Sequence, residues 1–135
     1  MSVEQIVITK LEAVSAITDI VGDEITIAKA RQDSGEKYIV VKYIDGVEVH
    51  AMGQSSGTGE ARLQIDAYTE KYADLVALRK LIKDNLSRWP KNESVSPVGG
   101  VTATDAIINV DLTTYEDKLE KHRAMIDLTI QYKEV

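Results

Sequence analysis

Apolar residues recur every three or four positions at the start of the chain: Val3, Ile6, Val7, Leu11, Val14, Ile17, Ile20 and Val21. That spacing lines one face of a helix and predicts one over residues 2–21. Ser2 with Gln5 three residues later makes a capping box, and Gly22 stands where a left-handed C-terminal cap is needed. The period then changes to two. Residues 25–28 alternate as a short strand, residues 32–36 form a polar turn, and residues 37–44 are β-branched and aromatic throughout. Asp45-Gly46 suits a tight hairpin turn, so residues 47–52 are expected to return as the partner strand.

Residues 53–59 (Gly-Gln-Ser-Ser-Gly-Thr-Gly) read as a polar glycine loop. It opens onto residues 60–68, where Ala61, Leu63, Ile65 and Ala67 alternate with Arg62, Gln64, Asp66 and Tyr68. This is the pattern of a half-buried antiparallel strand with its polar face in water. Thr69 then caps a second helix running to about Ser87, with Tyr72, Leu75, Val76, Leu78, Ile82 and Leu86 as its buried line. Lys80, Lys83 and Arg88 lie toward its C-terminus, where cations complement the helix dipole. Trp89-Pro90 ends the helix, and residues 91–104, rich in Pro, Gly and Ser, read as a long connection. Residues 106–112 form a strand, 113–120 a polar turn, and 122–133 a final strand with Ala124, Ile126, Leu128 and Ile130 on one side.

Strands close together in sequence, with the helices set apart, predict an α+β fold. The expected architecture is an antiparallel or mixed sheet of five to six strands with two helices packed on one face. Residues 1–135 read as one domain without internal repeats, a usual length for one.

Composition narrows the chemistry. Phe and Cys are absent and 44% of residues are hydrophobic, so the core must be aliphatic. Lacking Cys, the chain has no disulfide, thiolate metal ligand or thiol nucleophile. A net charge of −6 is the wrong sign for gripping phosphate backbones, which excludes sequence-specific nucleic-acid binding from the expectations. No stretch approaches the ~20 apolar residues that cross a bilayer, and no basic segment leads an apolar run as in an export signal. A protein of the cytosol, or of something assembled there, is expected.

Three chemical readings fail on spacing. The loop glycines resemble a phosphate cradle, but such loops precede a helix and a Walker loop also needs Lys followed by Ser or Thr. Here a strand follows and the loop holds no Lys. His50 and His122 stand far apart with no clustered ligands, so no metal site is expected. No Gly-x-Ser-x-Gly elbow or other triad arrangement is present. Neither a catalytic centre nor a cofactor is expected. Two features keep a sharper alternative beside a bland one. Arg62, Gln64 and Asp66 form either a solvated sheet face or a subunit interface, and the 53–59 loop is either a simple connection or an assembly contact.

The whole pattern reaches further than its parts. The first helix ends in Val21-Gly22-Asp23, a turn precedes Tyr38-Ile-Val-Val-Lys-Tyr43, and the glycine loop opens onto Ala61-Arg-Leu-Gln-Ile-Asp-Ala-Tyr68. The helix beginning at Tyr72 follows, and the last strand ends Ile130-Gln-Tyr132. In this the chain resembles the tail completion proteins of long-tailed bacteriophages and prophages, also called tail terminators or tail-to-head joining proteins. Arg62-x-Gln-Ile-Asp-x-Tyr68 is the most specific part of the likeness; residues 89–106 are the least family-like.

The resemblance implies a structural virion protein and no enzyme. It implies a homo-oligomeric ring, commonly a hexamer, at the head-proximal end of the tail tube. Such a ring stops tube polymerisation and joins the tail to the head connector, with the genome passing through it. Its partners would be further copies of itself, the major tail tube protein and the head-connector or stopper protein. Gln54, Ser55, Ser56 and Thr58 in the loop, Arg62, Gln64 and Asp66 on the polar strand face, and Arg88 and Trp89 after the helix are the expected oligomer or partner contacts. Two rivals remain: a neck or minor tail protein at another station, and a cytosolic nucleotide- or peptide-binding α+β domain.

Overall fold

The structure is a computed structural model that describes residues 3–22, 24–27, 37–51, 54–93, 95, 97, 98, 100–118 and 120–134; of residues 47–51, 54–57 and 134 it describes the backbone alone. Two short helices, α1 (Val3–Glu12) and α2 (Ser15–Val21), lead into strands β1 (Ile25–Ile27), β2 (Tyr38–Ala51) and β3 (Gln54–Thr69). Helix α3 (Tyr72–Leu86) and the single turn α4 (Trp89–Asn92) separate these from β4 (Val101–Glu116) and β5 (Lys121–Glu134). The strands form one sheet in the order β1-β2-β3-β5-β4. β1 runs parallel to β2 and every other pairing is antiparallel, so the α+β class and the mixed sheet of the sequence reading both stand.

The core lies between the helices and one face of the sheet. Leu63, Ile65, Ala67, Ala124, Ile126, Leu128 and Ile130 from the central strands meet Leu11, Ile17, Leu75, Leu78, Ile82, Leu86 and Trp89, all buried. At about 25 cal/mol per Å² of apolar surface removed from water, each of these Leu and Ile side chains contributes about 1.5–3 kcal/mol.

Several expectations change. The first helix is broken at Val14, whose backbone is extended (φ −93°, ψ 103°). A straight helix of that length would span about 30 Å. The bend instead lets Ile6, Val7 and Leu11 on α1 and Ile17 and Val21 on α2 reach the same core. Gly22 caps α2 with a positive φ (64°), but its ψ of −129° is not the left-handed conformation expected; its N–H donates to the Thr18 carbonyl at 2.7 Å.

Asp45-Gly46 makes no turn. β2 continues through it with a bulge between Tyr43 and Asp45, and Gly46 pairs with Ala61. Gly46 is needed for space: a Cβ there would lie 2.2 Å from the Tyr43 hydroxyl and 3.0 Å from the Glu60 carbonyl oxygen. The reversal comes later, where Ala51 pairs with Gln54; Met52 and Gly53 lie outside the described residues. The expected glycine loop is thus mostly strand, with Gln54, Ser55, Thr58 and Gly59 in the ladder of β2. Backbone pairing overrides the poor strand propensity of Gly and Ser.

Thr69 ends β3 and does not cap α3; its hydroxyl donates to the Lys71 carbonyl at 2.7 Å, and Lys71 occupies the cap position. Tyr72 and Val76, expected on the buried line, are exposed, while Leu75, Leu78, Ile82 and Leu86 are the fully buried residues of α3. The expected 91–104 connection is shortened from both ends. Arg88 takes a left-handed conformation (φ 56°) and starts α4, whose first turn holds Pro90, where a missing N–H costs nothing. β4 begins at Val101 and runs to Glu116, absorbing much of the expected 113–120 turn.

Candidate functional site

The sheet face away from the helices carries the polar side chains of β3 and β5, and they are paired to one another. Arg62 forks onto Asp127, Nη2 to Oδ2 at 2.5 Å and Nε to Oδ1 at 3.5 Å; this hydrogen bond and the Asp127 charge raise the pKa of an already strong base. Asp66 is the hub. It is fully buried, and its Oδ1 accepts from Arg123 Nε at 3.1 Å and Nη2 at 2.9 Å. Gln64 Nε2 donates to both of its oxygens, and Lys42 Nζ lies 3.4 Å from Oδ2.

Arg123 spans onward to Glu116 at 3.1 Å and sits over the Tyr68 ring, which stacks on Tyr38. Burial opposes the Arg123 charge, but its bonds to Asp66 and Glu116 outweigh it and leave the pKa above the ordinary value. For Asp66 the solvated face expected from alternation is corrected here, while Arg62 on the same face stays about half exposed, at 49%. On the central strand β3, neighbours on β2 and β5 close over Asp66, so water is replaced by ion pairs.

Along β4 a second set of charges ties the helical layer to the sheet. Arg79 and Lys83 of α3 both reach Asp111 Oδ2, at 2.5 and 2.8 Å, and their hydrogen bonds hold its carboxyl below the usual range. Arg88 Nε donates to Asp105 at 2.6 Å, and the Arg88 N–H donates to the Ala106 carbonyl at 2.8 Å. Burial pushes the Asp105 pKa up, yet the Arg88 and Ala106 N–H bonds pull it down further, and the result is lowered. Between α3 and β4 lies an open groove of about 580 Å³ lined by Lys83, Asp84 and residues 108–111 among others.

The exposed apolar side chains are sharply segregated. Among the described residues nine large hydrophobics are exposed, between 37% (Ile107) and 55% (Tyr72). Ile107, Val110, Leu112 and Tyr115 stand on β4, at one edge of the sheet. Tyr72 and Val76 adjoin them on α3, Tyr72 meeting Tyr115 through a shared edge-on contact with His122. The other three, Ile27, Tyr43 and Ile44, lie on β1 and β2 at the opposite edge. Single exposed apolar residues are ordinary on any surface, whereas contiguous ones mark interaction sites.

Of the residues expected at contacts, Arg62, Gln64 and Asp66 share one ion-paired face. Thr58 lies farther along β3, level with Val49 and Lys133. Gln54 and Ser55 lie in the part of β3 beyond its pairing with β5, with Ser56 between them and Thr58, and their side chains are outside the described set. Arg88 is tied to Asp105, and Trp89 is withdrawn from the surface altogether, buried in the core. Sequence reading missed the β4 edge. Its one signal was Ile107-Ile108, adjacent apolar residues that must point to opposite faces of a strand.

Among the described residues no three His, Asp or Glu side chains gather as metal ligands, and no described helix is long and apolar enough to cross a membrane. No curated protein matches the chain in sequence. Among solved structures it is similar to a chain of the virion of a native gene transfer agent particle. That match has a TM-score of 0.77 at 12% identity and covers 98% of this chain and 95% of that one, a likeness of fold. The family model described as tail completion protein gp17 matches residues 5–132. With nearly its whole length matched, the chain belongs to the tail completion protein family.

Proposed function

We propose that this protein is a non-catalytic subunit of a closed ring, a hexamer, that caps the head-proximal end of a phage tail tube. There it ends tube polymerisation and presents a surface to the head connector, with the genome passing through the ring. It works in the virion, after assembly in the host cytoplasm. Its contacts are with its own copies, the tail tube protein and the connector.

The observation that carries this reading, in a chain of this family, is the placement of exposed apolar side chains at two opposite and different edges. A two-fold dimer uses one patch twice, whereas a ring needs two unlike patches that fit each other when rotation closes. The edges supply two such patches. The projecting end of the β2–β3 hairpin, with Gln54, Ser55 and Ser56, is free of β5 and suits an axial contact with the tube or connector. A net charge of −6 suits a wall beside DNA, because like charge keeps the genome from sticking. The test is deletion of the gene from a phage that carries it. Tails of abnormal length or unjoined heads and tails are expected, and normal virions would refute the role.

A further inference from the structure

From the two free strand edges we infer that neighbouring copies join by strand pairing: the outer edge of β4 in one copy hydrogen-bonds to the outer edge of β2 in the next. This rests on the ring reading above and names its interface.

Among the described residues both edges are open over similar lengths. On β4, the Ala106 carbonyl is taken by Arg88 and Val101 is bridged to Val98, which leaves residues 107–116 without a described strand outside them. On β2, the described β1 pairs with Ile39, Val40 and Val41, which leaves residues 42–51 without a described strand outside them. Unpaired edges of this length invite another strand. Three successive antiparallel pairings separate β2 from β4, so the two run in opposite directions. A β4 beside the next copy's β2 would therefore pair antiparallel, the more stable arrangement.

The register is constrained. Asp111, at the middle of the open β4 stretch, lies level with Val41 through Ile126 and Ile65. The middle of the open β2 stretch lies about five residues farther, roughly 17 Å along the strand. Because β1 blocks the level position, a neighbour can dock only with this shift. Four strands are about 19 Å wide. Closing a ring with that shift tilts the strands by about 40°, within the range of closed sheets.

The area is also adequate. Nine side chains exposing on the order of 100 Å² each give about 900 Å², close to the apolar share of a standard interface of about 1,600 Å². The shift brings Glu48 opposite Val110 and Ile44 opposite Thr114.

The chain has no native Cys, so cross-linking is clean. Glu48→Cys and Val110→Cys proteins are made separately, mixed, assembled into tails and treated with a short bis-maleimide; Ile44→Cys with Thr114→Cys is the second pair. A cross-linked dimer should form in the mixture and in neither variant alone, and the double variant should give a ladder. Val110→Cys cross-linking to itself would show two-fold β4 pairing and overturn the inference. Tails that contain both variants but no cross-link for either pair overturn it too, leaving the tail role intact. Tails from which the unsubstituted protein is absent defeat the tail role and the pairing together.

Discussion

Replacing Asp66 by Asn separates a residue that holds the subunit together from one that waits for a partner. The side chain is fully buried and accepts from Arg123 through two nitrogens, from Gln64, and from Lys42 across 3.4 Å. Removing one member of a buried ion pair costs about 3–5 kcal/mol because the remaining charge is left uncompensated. Here the cations keep some water, the side chains of Arg123 and Lys42 being 22% and 39% exposed, which favours the lower end, about 3 kcal/mol. Marginal stability near 0.1 kcal/mol per residue gives a chain of this size about 14 kcal/mol in all, so the loss is about a fifth. With a urea slope of about 1.5 kcal/mol/M, the unfolding midpoint should fall by about 2 M. Equilibrium urea unfolding followed by circular dichroism measures it. Combining Asp66→Asn with Arg123→Met should recover part of the loss, since the orphaned guanidinium is gone. A midpoint shift below about 0.5 M, equivalent to less than 1 kcal/mol, would refute the structural role and return Asp66 to the partner contacts.

Two further outcomes follow from the geometry. Gly46→Ala should destabilise by about 1 kcal/mol, because the new methyl meets the Tyr43 hydroxyl, which can swing outward, and the Glu60 carbonyl, which cannot; in a Tyr43→Phe background the loss should shrink, and an equal loss in both backgrounds counts against the contact. Asp105 and Asp111 have lowered folded-state pKa values, so their contribution is full above the unfolded value near 4 and is lost as pH falls through the folded values. Thermal melts from pH 6 down to about 2.5 should therefore show Asp111→Asn less stable at neutral pH and less sensitive to acid; parallel curves for the variant and the unsubstituted protein would count against the pairing with Arg79 and Lys83.

Much of the fold was legible because its signals are local. Ala61, Leu63, Ile65 and Ala67 alternate as a strand with one buried face must, and Leu75, Leu78, Ile82 and Leu86 keep a helical period. The misreadings share a cause: each turned on a contact far away in sequence. Asp45-Gly46 looks like a turn until Ala61 is seen paired with the glycine, and residues 54–59 look like a loop until β2 is seen beside them. The family was legible in the order of elements. The edge patches were not, since Tyr72 and Val76 carry the same sequence signature as buried residues, and only the end of the sheet beneath them decides that they are exposed.

The strand order has a consequence for how the fold forms in time. β5 is the last strand in chain order, yet it lies inside the sheet between β3 and β4. Until it emerges during synthesis, β3 has an open edge and β4 has no partner, while Leu63 and Ile65 lack their cover from β5. Pairings so distant in sequence form slowly, and unpaired edges aggregate. At about 5–20 residues per second, the interval between completing β3 and completing β5 is several seconds. The nascent chain is thus most vulnerable just before β5 emerges, and a stop codon ahead of β5 would leave two fragments of sheet with nothing to join them.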